Sequence, residues 1–246
     1  MSQDHIYGIH AVQALLEKRP EQVEWLWLQE GRADRRVEAL LALAERFGVR
    51  HESLPRKKLD EMVGGAHQGV VARVRALPAW DEGQLLDYVK ERGRNAFVLV
   101  LDGVTDPHNL GACMRTADAA GVDVIVMPKD KSAALTPAAR KVACGAAEVL
   151  PLARVTNLAR TLRALQDCGV WLVGTAGEAP QSLYQADLTG PLAVVMGAEG
   201  KGMRRLTREH CDALVYLPMA GTVESLNVSV ATGITLFEAV RQRQGG

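Results

Sequence analysis

The chain of 246 residues has no excess charge of either sign, since 29 basic residues balance 29 acidic ones. Bulk electrostatics therefore gives no support for a polyanionic partner. Cys113, Cys144, Cys168 and Cys211 are scattered with no CxxC pair, and the six histidines form no HxxxH or HExxH pattern. Such spacing argues against a metal site, and unpaired thiols fit a reducing compartment. No apolar run approaches the roughly 20 residues needed to span a bilayer. The opening MSQDHIYGIH lacks a basic region followed by an apolar core, so no signal peptide is expected. These absences predict a cytoplasmic protein with no membrane segment. Two nucleotide-binding signatures are also missing. Only Gly103 follows the apolar run Phe97–Leu101, where a dinucleotide fold would show G-x-G-x-x-G. Gly200-Lys201 is followed by Gly202, so the hydroxyl of a Walker A loop is absent.

What is present is the composition of a globular protein, 48% hydrophobic and 24% charged, long enough for one or two domains. The basic residues divide into 8 Lys and 21 Arg. Arg suits phosphate recognition through its planar fork, and genomic base composition explains the skew equally well.

The first 75 residues predict a compact α/β module. Helices are expected at Tyr7–Lys18, Asp34–Phe47 and Pro55–Met62, and strands at Val23–Leu28, Val49–Glu52 and Val70–Val74. Arg32, Arg35, Arg36, Arg56, Lys57, Lys58, Arg73 and Arg75 offer phosphate contacts, or simply solvated charge. Ala76–Asn95 reads as a polar connector marked by Pro78, Gly83 and Gly93, with a helix at Gln84–Glu91.

From Phe97 strands and helices alternate, which predicts a mostly parallel sheet covered on both faces. Strands are expected at Phe97–Leu101, Val122–Met127, Val149–Leu152, Val170–Thr175, Leu192–Met196 and Ala213–Leu217. Helices are expected at Leu110–Ala120, Pro137–Ala147, Thr156–Cys168 and Val228–Arg241. The last is apolar almost all round, at Val228, Val230, Ala231, Ile234, Leu236, Phe237 and Val240, so a second partner must cover it.

Two apolar strands break abruptly into small and polar residues. Leu192–Met196 runs into Gly197-Ala-Glu199-Gly200-Lys-Gly202, and Ala213–Leu217 into Pro218-Met-Ala-Gly221 and Ser225-Leu-Asn227-Val-Ser229. Ligands of open α/β sheets sit at the carboxyl ends of strands, where glycine lets the backbone come close. Ser225 and Asn227 equally suit capping of the helix that follows, and the glycines suit ordinary turns.

Taken together, Asn109-Leu-Gly111-Ala-Cys-Met-Arg115-Thr-Ala117, Met196-Gly-Ala-Glu-Gly-Lys-Gly202, and Leu217-Pro-Met-Ala-Gly221 with Ser225-Leu-Asn-Val-Ser-Val-Ala231 resemble the SpoU class of SPOUT RNA 2'-O-ribose methyltransferases. Three motifs in order over the C-terminal two-thirds make that resemblance specific. It implies an α/β fold in which a SPOUT domain, residues 96–246, carries a deep trefoil knot at roughly 192–240. A small domain similar to ribosomal protein L30e, residues 1–75, would precede it and dock RNA, with 76–95 as linker. It implies S-adenosylmethionine as cofactor, held by Gly197, Glu199, Gly202, Leu217, Met219, Leu226 and Asn227, and no metal. The implied catalytic set is Arg115, Asn109, Glu199, Asn227 and Ser229, with Arg115 on the ribose and its phosphate and Glu199 orienting Arg115 or accepting a proton. The implied substrate is a guanosine ribose of 23S ribosomal RNA, free or in a large-subunit assembly intermediate, and the implied assembly a homodimer through the knot domain. A transfer RNA ribose and a noncatalytic RNA-binding or assembly role are the alternatives.

Overall fold

The computed structural model describes residues 3–32, 34–64, 67–75 and 79–245. The chain forms two compact units, Met1–Pro78 with Cys144–Val149, and Ala79–Ala143 with Leu150–Gly246.

The first unit contains β1 (Gln3–Tyr7), α1 (Ile9–Lys18), β2 (Val23–Gln29), α2 (Arg35–Arg46), β3 (His51–Leu54), α3 (Arg56–Val63) and β4 (Val70–Arg75). Its sheet runs β1-β4-β2-β3, with only β2 and β3 parallel. The sequence signals no strand before residue 7, yet all of β1 pairs with β4, from Tyr7 against Val71 to Gln3 against Arg75. Gly8, at φ 96°, makes the turn from β1 into α1, so the helix starts two residues later than expected. Leu26, Leu28, Val70, Ala72 and Val74 join Val12, Leu16 and Leu40 in one core. Several of the expected phosphate-contacting cations are engaged within the unit. Arg73 and Arg75 both pair with Glu24 at 3.3 Å, and Arg32 pairs with Asp34 at 2.6 Å. Arg35, Arg36, Lys57 and Lys58 are exposed.

The rest of the chain supplies α4 (Glu82–Arg92), β5 (Phe97–Asp102), α5 (Pro107–Ala119), β6 (Val124–Pro128), α6 (Pro137–Ala143), α7 (Ala146–Val149), β7 (Leu152–Val155), α8 (Leu158–Asp167), β8 (Trp171–Thr175), β9 (Gln181–Ser182), β10 (Leu192–Gly197), α9 (Arg205–Glu209), β11 (Ala213–Tyr216) and α10 (Val228–Arg243). The sheet of the second unit runs β7-β6-β5-β10-β8-β11-β9, and every pairing in it is parallel. Strands β5, β6 and β10 are apolar and buried almost throughout, as a sheet covered on both faces requires.

Four expectations are corrected, the first being the strand expected at Val149–Leu152, which lies at Leu152–Val155 because Val149 closes α7. The helix expected over Pro137–Ala147 is two helices, because Cys144 and Gly145 both take positive φ (50° and 97°). The helix expected from Leu110 starts at Pro107: Asp106 caps it by accepting from the His108 amide, and proline suits its first position. The expected connector Ala76–Asn95 is, beyond residues 76–78, which lie outside the described residues, part of the second unit. Leu85 and Val89 of α4 belong to its core, Trp80 packs against that core, and Trp80 bridges to Ala153. A short apolar stripe inside a polar segment carries this packing.

In the second unit β5 continues to α5 and β6 on one side of its sheet, while β10 continues to α9 and β11 on the other. The strand order therefore reverses between β5 and β10. A crevice opens outside the strand ends at such a point.

Candidate active site

Asp102 ends β5 and pairs in register with Gly197, which ends β10. The loops that follow carry polar side chains over the crevice. After Gly197 the loop folds back on itself: the amides of Ala198 and Gly202 donate to each other's carbonyls, at 3.0 and 2.8 Å. Gly200 and Gly202 take φ 75° and 65°, which glycine allows at little steric cost. A Cβ on Gly197 would collide with the backbone of Gly202 and Met203. The close approach at Gly197 is thus made by its own returning loop, where the sequence led us to expect a ligand.

This loop presents Glu199, exposed, to two amides from other elements. Asn109, in the first turn of α5, donates from Nδ2 to Glu199 Oε2 at 3.3 Å. Asn227, the N-cap of α10, donates from Nδ2 to Asn109 Oδ1 at 3.0 Å and to Glu199 Oε1 at 3.4 Å. The Asn227 Oδ1 accepts from the Ser229 amide at 2.9 Å and from Ser229 Oγ at 2.6 Å. Asn227 is therefore both a helix cap and a member of the polar cluster, so the two readings of its sequence position hold together. Four residues from three separate motifs meet here. A carboxylate acceptor flanked by two carboxamides can orient a hydroxyl and receive its proton.

Arg115 stands apart. Six residues along α5 turn it about 120° from Asn109. It is exposed, and among the described residues it makes no ion pair with Glu199 or any other carboxylate. The expected pairing of Glu199 with Arg115 is replaced by the two asparagines. Gly111, between them, is structural, since a Cβ there would collide with Ala139 of α6. Helix α10 also packs on α5, where Cys113 Sγ lies 3.6 Å from Thr232 Oγ1. Burial pushes the Cys113 thiol up to about 11, and burial first, then the nearby Asp212 and Asp102 carboxylates, pushes the Cys211 thiol up to about 12, so neither is poised as a nucleophile.

The third loop follows β11. Leu217 and Leu226 are half-buried, while Met219 is 38% exposed and Val223 lies open. Aliphatic and thioether side chains of this kind suit the face of an adenine ring. Gly202 sits at the base of the neighbouring loop, where its amide closes the loop on Ala198.

Two further residues, Asp102 and Arg204, were not expected from the sequence. Asp102 has a fully buried side chain, and both its oxygens accept from Arg204: Oδ2 from the backbone amide at 2.8 Å, Oδ1 from Nε at 2.6 Å. The available signal was one carboxylate at the end of a wholly apolar strand.

The sequence profile of the SpoU rRNA Methylase family matches residues 96–237, and that of the RNA 2'-O ribose methyltransferase substrate-binding domain matches residues 5–80. The chain is 64% identical over 245 residues to the Pseudomonas putida 23S rRNA (guanosine-2'-O-)-methyltransferase RlmB, covering 99% of each. It is 60% identical to the Escherichia coli protein of that name, over 97% of this chain and 98% of the other. Among solved structures it is similar to the SpoU methyltransferase AviRb from Streptomyces viridochromogenes, in complex with AdoMet. That match has a TM-score of 0.79 at 26% identity, and covers 99% of this chain and 92% of that one.

Proposed function

The chain belongs to the SpoU rRNA Methylase family, and from that premise we propose that it methylates a guanosine ribose of 23S ribosomal RNA at the 2'-hydroxyl, using S-adenosylmethionine. The observation that carries this reading is the convergence of Asn109, Glu199 and Asn227 over the crevice between β5 and β10. S-adenosylmethionine supplies an electrophilic methyl on a sulfonium. The chain's own part is to hold and align. Leu217, Met219 and Leu226 line the adenine side, with Gly197 and Gly202 shaping the adjoining loop. Asn109 and Asn227 orient the ribose hydroxyl, and Ser229 fixes the Asn227 amide. Glu199 is the acceptor for the hydroxyl proton. Arg115 is a fixed cation, since a guanidinium does not deprotonate in proteins, and it holds the phosphate beside the target ribose.

Several finer features belong to the same proposal. Residues 192–240 form the knot; in support, α10 turns back after β11 to pack on both α5 and β10. The N-terminal module, similar to L30e, docks the RNA; exposed Arg35 and Arg36 line a hollow of about 340 Å³ with Arg32 and Asp34. The protein is a cytoplasmic homodimer through the knot domain, with each Arg115 serving a site completed by the second copy. Its offset from the Asn109–Glu199–Asn227 cluster supports that arrangement. The target guanosine lies in the peptidyl-transferase P-loop, reached in free RNA or in an assembly intermediate.

The test is transfer of labelled methyl from S-adenosylmethionine into deproteinised large-subunit RNA, with the labelled nucleotide mapped. Label on one guanosine ribose is expected. Label in transfer RNA alone would move the substrate to that class, and tight RNA binding without label would favour an assembly factor.

A further inference from the structure

We infer that Asp102 is a positioning residue for the reaction: through Arg204 it sets the loop that carries Glu199. The inference rests on the proposed function for its activity readout and on the geometry for the rest.

The loop is anchored twice at one place. It leaves the sheet at Gly197, paired in register with Asp102, and its far end, Arg204, is bonded to the Asp102 carboxylate through both backbone and side chain. The six residues between are closed further by the reciprocal Ala198–Gly202 bonds. Ring closure of this kind leaves Glu199 little freedom relative to β5. Asp102 also roots the other partner, because the chain runs from it through Gly103 (φ 86°) to the Asp106 cap and Asn109. A Cβ on Gly103 would stand at ordinary van der Waals distance from Ala198, 3.4 Å away, so the two loops already lie side by side.

The chemistry of the pair suits a fixed support. A carboxylate with no exposed side-chain surface is costly unless its oxygens are engaged, and here each takes a donor from one residue. Arg204 keeps about half its side chain in solvent (52% exposed), which holds its charge hydrated on one side. Arg204 precedes α9 as its N-cap residue with no side-chain cap, so the bond from its amide to Asp102 also fixes where that helix begins. Among the described residues Asp102 makes no hydrogen bond with Asn109 or Glu199, so its effect on turnover passes through the loop.

The test is a double-mutant cycle in the full-length protein, reading single-turnover methyl transfer together with amide exchange over residues 198–203. Asp102→Asn and Arg204→Gln are expected to slow transfer about tenfold or more, since small misplacements at a reacting centre cost that much. In a Glu199→Gln background the same changes should cost less than about twofold, because they act through the residue already altered. Amide exchange over 198–203 should quicken in both single variants. Losses that multiply in the Glu199→Gln background would overturn the inference, as would full activity alongside faster exchange. If Asp102→Asn fails to fold, Arg204→Gln carries the cycle alone, since it leaves the backbone bond to Asp102 in place. Were the wild-type protein to transfer no methyl, the functional reading would fall. Unchanged exchange in both variants would then overturn the anchor separately.

Discussion

The Asn227 amide donates to the Asn109 side-chain oxygen at 3.0 Å, across 118 residues of sequence, while the Asn227 oxygen caps α10. The two ends of one carboxamide thus serve separate tasks, which substitution can separate. Asn227→Asp keeps the capping oxygen but replaces the donor with an oxygen facing Glu199. It should retain a near-normal melting temperature and lose transfer about a hundredfold, as for other preorganised donors. Asn227→Ala should lose transfer too, and also about 1 kcal/mol of stability with the cap. Thermal melting beside single-turnover rates checks both. An active Asn227→Asp protein would make the donor dispensable.

Glu199 and Asn227 were legible in the sequence because each lies where an apolar strand breaks into glycine and polar residues, whereas Asn109 was legible only through the resemblance its motif carries. Strands β5, β6, β8, β10 and β11 were legible from uniformly apolar runs such as Phe97–Leu101, whereas β7 lies three residues beyond its expected place and the two-residue β9 carries no apolar run at all. Less visible was whatever depends on distant partners. Asp102 and Arg204 lie 102 residues apart, and neither carries a local pattern. Leu85 and Val89 form too short a stripe to mark α4 as core. The break at Cys144-Gly145 interrupts an alanine-rich stretch with no proline to announce it.

Glu238 in α10 accepts from Arg241 Nε and Nη2 at 2.9 Å each, and from Gln242 Nε2 at 2.8 Å. These bonds, Arg241 first, hold its carboxyl down from 4.5 to about 2. A carboxyl lowered in the folded state stabilises above its unfolded value and loses that contribution as pH falls. The contribution should be complete above about pH 4.5 and vanish near pH 2. Melting temperatures of the wild type and Glu238→Gln should differ at pH 6 and converge toward pH 2. A gap that stays constant with pH would mean the charge is not what matters.

Val230 and Phe237 lie seven residues apart on one side of α10, each about half exposed, while Val228 and Leu236 are buried. Two turns of helix with a large apolar residue at each end suit a partner surface. Light scattering should give a dimer for the wild type and a monomer for Val230→Lys/Phe237→Glu, with transfer lost in the monomer. A wild-type protein that is monomeric and active at the same low concentration would refute the dimer.

The fragment boundary follows from α4. Starting the second unit at residue 96 removes Trp80, Leu85 and Val89, and Leu85 and Val89 are almost wholly buried. Each large apolar side chain taken from a core costs roughly 1.5–3 kcal/mol, against a total stability of about 5–15 kcal/mol for a domain. Residues 96–246 should therefore fold poorly, whereas 79–246 should bind S-adenosylmethionine and dimerise. The longer fragment should still be less stable than the whole chain, because Cys144–Val149 packs with the first unit. It should methylate ribosomal RNA poorly, and its RNA affinity should depend less steeply on salt. Every phosphate that the first unit would have neutralised takes about one unit of log–log slope away with it. Calorimetry of cofactor binding and salt titrations of RNA binding, on both fragments and the full chain, check these outcomes. Full activity of 79–246 with an unchanged salt slope would mean that the first unit does not dock the RNA, and would leave it a role in assembly or stability.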